Sequence, residues 1–437
     1  MSALVTTSEI GTVVARLRRL QVMDLLRGAT FIGALLLVCI SLHPFPDLGS
    51  EQFAGSATGN EVPTYLAFGC LGLLALTLAL RDGSRALSTL LTPAFTLFGG
   101  WIIVSVVLSQ DPGASVRRLA LTVCVVMVAA AIMLLPKSQH ELMRWFGLAA
   151  LALLATCYLG VLLAPGLSIH LVTDIQEPLL AGDWRGVFGH KNMAAGVMAM
   201  LVFVGVYMLR SGAWISGLVT ILLSLVFLLN TGGKSSLALT LVILALTSAL
   251  GLVRPFWLRL CILLTPLLLL NLFSVGTVMF DNVAALAQKL PLDTSFTGRA
   301  DIWSFAVQAL RLRLATGYGF AAFWGTGAIQ NLSEGREWAQ YASHSHNGYL
   351  DTALATGLPG LALLVMALVI APLRNVQNAE RGGNGGPLLL LLTQIWLFGL
   401  YLSSLESFFF DGADPLWFMI LLAVFGLHYL ARFRLRA

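Results

Sequence analysis

Apolar runs of about 17–25 residues, the length of a bilayer-spanning helix, recur along most of this chain and are separated by short polar segments. They predict spans at residues 26–44, 62–80, 88–109, 118–136, 145–165, 192–209, 212–230, 235–253, 257–279, 347–372, 387–405 and 415–431, twelve in all. Ahead of the first, Ile10, Val13, Val14, Leu17 and Leu20 recur at helical spacing with Arg16, Arg18 and Arg19 on other faces. That pattern predicts an interfacial helix rather than a cleavable signal, whose apolar run would not be broken by charge. One connection breaks the rhythm, because residues 280–346 are too many for a turn. Within it, Ala300 to Leu314 reads as a helix behind the turn Thr297-Gly298-Arg299. Gly317-Tyr-Gly319 through Trp324-Gly-Thr-Gly327 reads as a turn-rich stretch. Trp303, Phe305, Phe320, Phe323, Trp324 and Trp338 argue against disorder there.

Composition agrees with this class: 58% of residues are hydrophobic, 11% are charged, and the mean hydropathy is +0.86. Arginine and lysine near span ends favour the cytoplasmic side. Placing both termini there gathers Arg81, Arg85, Lys137, Arg144, Arg210, Arg254, Arg259, Arg374, Arg381 and Arg432 on the inner face and leaves acids in excess outside. The net charge of +5 therefore follows from topology and is no sign of nucleic-acid binding. The expected architecture is an all-α, polytopic integral membrane protein with about 12 transmembrane helices and one large periplasmic loop. Its parts are a cytoplasmic interfacial helix at 1–25, helices 1–9 over 26–279 with an outer loop at 166–191, the large loop at 280–346, and three last helices with a basic tail over 347–437. Cys39, Cys70, Cys124, Cys157 and Cys261 all fall inside spans without metal-ligand spacing and read as packing residues.

With so few ionisable groups, a polar cluster at one depth is informative. His344, His346 and Asn347 stand where the large loop runs into an apolar helix. Arg185, His190, Lys191 and Asn192 stand in the 166–191 loop and at the start of the sixth span, and Arg299 with Asp301 in the large loop. If these converge they form a basic cleft at the outer face, suited to a diphosphate-linked lipid, since guanidinium forks meet phosphate oxygens bidentately. Equally, Arg185 and Arg299 can pair with Asp183 and Asp301 or snorkel to lipid phosphates. An imidazole can take a proton from an attacking hydroxyl near neutral pH, which makes His346 a candidate base, and a helix-terminal histidine bonded to backbone or water is the plainer alternative. His43, His140, His170 and His428 lack such company and read as structural. No third and fourth ligands accompany His344 and His346, so no metal or other cofactor is expected.

Two letter patterns fail. Gly232-Gly-Lys234-Ser235 has Leu228 where a phosphate-binding loop needs its first glycine, and Gly317-Tyr-Gly319 lacks a βαβ context. The sequence also has no Asp-x-Asp pair of the kind that holds Mg²⁺ for nucleotide-sugar transfer.

Taken together, His346-Asn347 followed at family spacing by Gly357 and Gly360, the segment Arg185-Gly-Val-Phe-Gly-His190-Lys-Asn192-Met-Ala-Ala-Gly196, and Thr297-Gly298-Arg299-Ala-Asp301-Ile-Trp303 resemble the bacterial O-antigen ligase and polymerase superfamily. The wording of Gly-His-Lys-Asn-Met, Gly-Tyr-Gly-Phe-Ala-Ala-Phe-Trp and Ser-His-Asn-Gly-Tyr-Leu is similar to its succinoglycan-type exopolysaccharide polymerases. The likeness covers about residues 180–375, and the N-terminal spans only by hydropathy. It implies metal-independent, inverting glycosyl transfer on the periplasmic face of the bacterial inner membrane, from a glycan on undecaprenyl pyrophosphate. Carried over, Arg185 and Arg299 bind the pyrophosphate and His346 is the general base. His344, Asn347, Lys191, His190, Asn192 and Asp301 are the further candidates for binding substrate. The acceptor is a glycan or lipid-linked repeat for a polymerase, the favoured reading, and lipid A core for a ligase. Membrane lipids and other polysaccharide-assembly proteins are the remaining expected partners. A lipid-linked oligosaccharide transporter is the distant alternative, disfavoured because the spans are almost free of charge.

Overall fold

The computed structural model describes residues 7–50, 62–175, 177–289, 299–330, 332, 339 and 342–434. They are helical throughout, with a lone antiparallel bridge between Ile169 and Trp184 and no strand among the described residues. Every segment expected to span coincides with a helix: α1 (Thr7–Ile40), α2 (Val62–Ser88), α3 (Pro93–Val107), α4 (Pro112–Ile132), α5 (Gln139–Leu163), α6 (Lys191–Arg210), α7 (Trp214–Asn230), α8 (Lys234–Leu252) and α9 (Phe256–Phe273) before the large loop. Inside that loop lies α10 (Arg299–Leu312), and after it come α11 (Gly348–Val365), α12 (Pro387–Leu402) and α13 (Pro415–Leu430). Eight of these helices are long and apolar enough to cross a membrane, and α3, α7, α12 and α13 are shorter apolar helices. This is a multi-pass membrane protein.

Two boundaries differ from the expectation. The chain does not break near residue 25, because α1 runs without interruption from Thr7 to Ile40. The tenth span is one rod only in its lower part, where α11 passes through a π-turn at Met366–Ile370 into a helix over Ala371–Arg381. In the loop, Thr297, Gly298 and Trp338 lie outside the described residues.

The centre of the bundle is α6, α12 and α13, which pack on one another and bury nearly every side chain. Small residues set how closely helices approach. A Cβ on Gly205 of α6 would lie 2.9 Å from the carbonyl oxygen of Gly217 in α7, and the reverse holds at Gly217, so this hairpin needs glycine on both sides. Around the centre, α2, α8 and α9 turn exposed leucines and valines outward, as lipid-facing helices do.

Successive connections sort alternately to two ends. Residues 45–50, 109–118, 166–191, 231–233, 313–324, 342–347 and 403–414 interlock at one end, which we call the loop end. There Phe45 N–H donates to Val187 O, Trp184 N–H to Asn230 O, Gln110 N–H to Tyr318 O and Gly348 N–H to Ser403 O. At the other end Lys137 pairs with Asp24, Arg259 with Glu380 at 2.7 Å, and Asn384 donates to Leu430 O. The loop-end segment carries a core of its own, Trp303, Phe305, Tyr318 and Phe323 against Leu350 and Leu354 of α11.

Candidate active site

Three helix starts and one short turn build the site. At the start of α6, His190 is the N-cap in extended backbone, and its Nδ1 accepts from Asn192 N–H at 3.0 Å. That bond leaves Nε2 as the N–H side, which donates to Glu177 Oε2 at 2.7 Å. His170 is organised the same way: Nε2 accepts from Lys191 N–H at 3.3 Å, so Nδ1 donates to Asp174 Oδ2 at 2.8 Å. The His170 and His190 rings meet edge to face at 5.5 Å. Lys191 Nζ reaches Asp183 Oδ2 at 2.5 Å.

The turn between α12 and α13 supplies Glu406. Its Oε1 accepts from Arg299 Nη2 and from Asn192 Nδ2, both at 2.9 Å, and its Oε2 faces His346 Nδ1 at 3.2 Å. Arg299 is the first residue of α10 and also holds Leu405 O through Nη1 at 2.6 Å. Burial acts to raise the Glu406 carboxyl, but the His346 hydrogen bond and the Arg299 charge overcome it and hold the group down at about 2. A carboxylate fixed in its ionised form pulls the imidazole proton to Nδ1. The Nε2 lone pair of His346 is then left to take a proton from a substrate, as in a carboxylate-oriented histidine base.

His346 sits one residue before the N-cap of α11 with φ +55°, a left-handed backbone uncommon outside glycine. The turn folds its N–H back to His344 Nδ1 at 3.3 Å and sets the two rings edge to face at 4.2 Å. Burial, with His346 and Arg299 nearby, brings His344 down to about 4, so it is neutral beside its partner. Asn347 caps α11 through Leu350 N–H and donates from Nδ2 to Asn271 Oδ1 and Ser404 O, both at 3.0 Å.

Below the histidines α11 is broken. Gly357 adopts φ +71° and ψ 179°, a region that only glycine occupies freely, and a Cβ there would lie 2.5 Å from Ala315 O. Carbonyls freed by the break are taken up by other elements, Leu354 O by Tyr318 N–H, Ala355 O by Gly319 N–H and Ser105 Oγ, and Thr356 O by Trp101 Nε1. The spacing from His346 to Gly357 and Gly360 thus has a structural meaning. It measures the short helical piece that carries the histidine, and a Cβ on Gly360 would collide with Thr356 Oγ1.

The structure brings His346, Arg299, Asn192, His190 and Lys191 into one network around carboxylates, with His344 against His346. Arg185 joins it differently from the expectation. Its side chain is fully buried, Nη1 donates to Phe188 O at 3.1 Å and Nη2 to Pro46 O at 2.7 Å. Backbone carbonyls therefore occupy the fork, and burial lowers its affinity for the proton against the opposing pull of Asp174 and Asp47. Asn347 is likewise committed to capping rather than open to a ligand, and Asp301 is exposed and makes none of the network's bonds. Nor do the arginines pair with Asp183 and Asp301, since Arg299 takes Glu406 and Lys191 takes Asp183. Sequence reasoning missed Glu406, Glu177 and Asp174. A signal existed for the first, because a lone acid within Ser403-Ser-Leu-Glu406-Ser-Phe, between two apolar runs, needs a cationic partner. Among the described residues no group of three His, Cys, Asp or Glu side chains converges as a metal site, and all five cysteines are free.

Residues 218–365, about a third of the chain, match the family model described as O-antigen ligase. This stretch is similar to O-antigen ligases. It includes Arg299, His344, His346, Asn347, Gly357 and Gly360, whereas Arg185, Lys191 and Glu406 reach the site from outside the matched residues. The exopolysaccharide production protein ExoQ of Rhizobium meliloti (strain 1021) is 29% identical over 119 residues, which are 23% of this chain and 26% of that protein. The match thus spans about a quarter of the curated relative's length. Both findings support the superfamily resemblance carried by the motifs, an O-antigen ligase or polymerase type of membrane protein.

Proposed function

We propose that this protein is a metal-independent, inverting glycosyltransferase that moves a glycan from undecaprenyl pyrophosphate to a sugar hydroxyl, joining lipid-linked repeat units. In this reading all twelve apolar helices span the bacterial inner membrane, both termini are cytoplasmic, and the loop end faces the periplasm. The observation that carries it is the His346 Nδ1 contact with an ionised Glu406, which leaves Nε2 as the free base. His346 takes the acceptor's proton and the hydroxyl oxygen attacks the anomeric carbon. The bond from that carbon to the phosphate oxygen breaks, and undecaprenyl pyrophosphate leaves with the electron pair on the side opposite the attack. Arg299 and Lys191 are the cations that meet the growing phosphate charge, and Arg185, its fork closed by backbone carbonyls, adds positive potential. Arg299 and Lys191 exchange carboxylate for phosphate when the donor arrives.

A second reading, transfer to lipid A core, is favoured by the description of the matched family, while the printed name of the relative favours exopolysaccharide. A transporter fits less well, because the ionised network lies at the helix ends rather than at mid-depth. The test is reconstitution of the purified chain with a lipid-linked repeat unit, comparing wild type with His346→Ala, Arg299→Ala and Arg185→Ala. Glycan elongation is expected from wild type and its loss from the histidine variant, with the fold retained. Undiminished elongation by that variant would refute the base. Growth of free lipid-linked polymer supports the polymerase, and transfer only onto added lipid A core supports the ligase.

A further inference from the structure

At the end opposite the loop end, a cavity of about 1000 Å³ lies between α6, α8 and α12, at the upper limit of small-ligand pockets. Helix faces line it. Thr247, Ser248 and Gly251 share one face of α8, and Leu390, Thr393 and Gln394 share one face of α12. Thr247, Ser248 and Thr393 satisfy their hydroxyls on carbonyls of their own helices, Ile243 O, Leu244 O and Leu389 O. Gln394 is different. It is 2% exposed, and its Oε1 has no hydrogen-bond partner, which is destabilising for a group held away from water. About 10 Å of helix separates it from Pro387 at the start of α12.

At the helix ends the lining favours an anion. Arg210, in the last turn of α6, is exposed and has no carboxylate partner among the described residues. Gly386 caps α12 without a side chain, so the positive end of that helix has no acceptor of its own there. A Cβ on Gly251, Gly385 or Gly386 would meet nothing within 4 Å, so the backbone lies open to the space. Glu380 is the acid of the lining, and Arg259 engages it at 2.7 Å. Trp214, exposed at the start of α7, is the kind of residue that sits at a membrane boundary.

A soluble anion would answer Arg210 and leave the apolar walls and Gln394 unmet, and a hydrocarbon chain alone would leave Arg210 and Gln394 unmet. A diacyl phospholipid answers all three, with a phosphate at its head, ester carbonyls beneath and hydrocarbon below those. Rotation about its last torsion lets Gln394 offer Nε2 to such a carbonyl. Basic pockets between membrane helices take anionic head groups for the same reason.

We propose that this cavity binds one anionic phospholipid of the leaflet at this end. Its phosphate lies on Arg210 and the start of α12, an ester oxygen on Gln394, and an acyl chain along Val206, Leu209 and Leu244. The site lies away from the histidines and does not depend on the glycosyl-transfer reading.

Native mass spectrometry of the full chain tests it, after delipidation in detergent and titration with phosphatidylglycerol or with phosphatidylcholine of the same chains. Wild type is expected to retain one phosphatidylglycerol with at least tenfold preference over phosphatidylcholine. Arg210→Glu should weaken that retention at least tenfold, and Arg210→Lys should keep it within threefold. Arg85→Glu, which reverses an exposed cation at the end of α2 outside the cavity, should leave it unchanged. Thermal unfolding gives a second measure. The delipidated Gln394→Leu protein should melt no lower than wild type, because the unmet amide is gone, while the rise that phosphatidylglycerol gives wild type should be at least halved. Glycerol phosphate should give no rise. Equal retention of the two lipids, or retention unmoved by Arg210→Glu in a monodisperse preparation, would overturn the inference. So would a wild-type-sized response in Gln394→Leu, and a rise with glycerol phosphate equal to that with the lipid would assign the cavity to a soluble anion instead.

Discussion

At the loop end Glu406 is held by Arg299, Asn192 and His346 from three separate elements, whereas at the opposite end Lys137, just ahead of α5, and Asp24 of α1 meet as two half-exposed side chains. Both are contacts between cations and carboxylates that join distant parts of the sequence. They differ in enclosure and in shared bonds. An exposed pair gains little because water and salt screen it, while a mostly enclosed carboxylate with several donors fixes the protonation state of each partner. A cluster of that second kind marks where a membrane protein has arranged charge for a task, and the first kind is what membrane topology leaves behind.

The largest effect should come from breaking the enclosed network at its base. His346→Ala should lower elongation by about 10²–10⁴, the usual contribution of a general base, with little change in thermal unfolding. Glu406→Gln removes the carboxylate and leaves Arg299 without its charged partner, so a loss of about 3 kcal/mol in stability is expected alongside strong loss of turnover, read by thermal unfolding in detergent. Gly357→Ala forces a side chain into backbone that costs about 1–3 kcal/mol and should lower the melting temperature while leaving donor retention measurable.

The pH response is a finer probe. His344 is lowered from 6.5 to about 4 in the folded protein, so the unfolded chain binds more protons between those values. Its contribution to stability is complete above pH 6.5 and declines as pH falls toward 4. Glu406, lowered from 4.5 to about 2, adds a second decline below pH 4.5. His344→Gln should flatten the acid limb of a melting-temperature profile between pH 6.5 and 4, and an unchanged slope would contradict the assignment. The smallest effect belongs to the other end, where Lys137→Ala should alter stability by less than about 1 kcal/mol and leave elongation as it was.

Much of the scaffold could be read in the letters, because each apolar run is continuous and a bilayer leaves a helix as its natural form. The helix over Arg299–Leu312 and the turns around Gly317 and Gly319 were likewise foreseen from their capping and glycine signals. What could not be read was partnership. Lys191 and Asp183 lie close in sequence, yet Arg299 finds its carboxylate more than a hundred residues away at Glu406, and no periodicity encodes that meeting. Arg185 shows the same gap from the other side, since its letter suggests an open fork while the Pro46 and Phe188 carbonyls that close it are backbone atoms, invisible in composition.

The interruption at Gly357 also bears on how the protein meets membranes of unequal thickness. A continuous rod changes its tilt to match the surrounding hydrocarbon and would carry any side chain at its tip along with it. Here the upper piece of α11 is fastened to Tyr318, Gly319, Ser105 and Trp101 rather than to the shaft beneath it. Such a break would let the shaft lean while the imidazole keeps its height above the acyl chains.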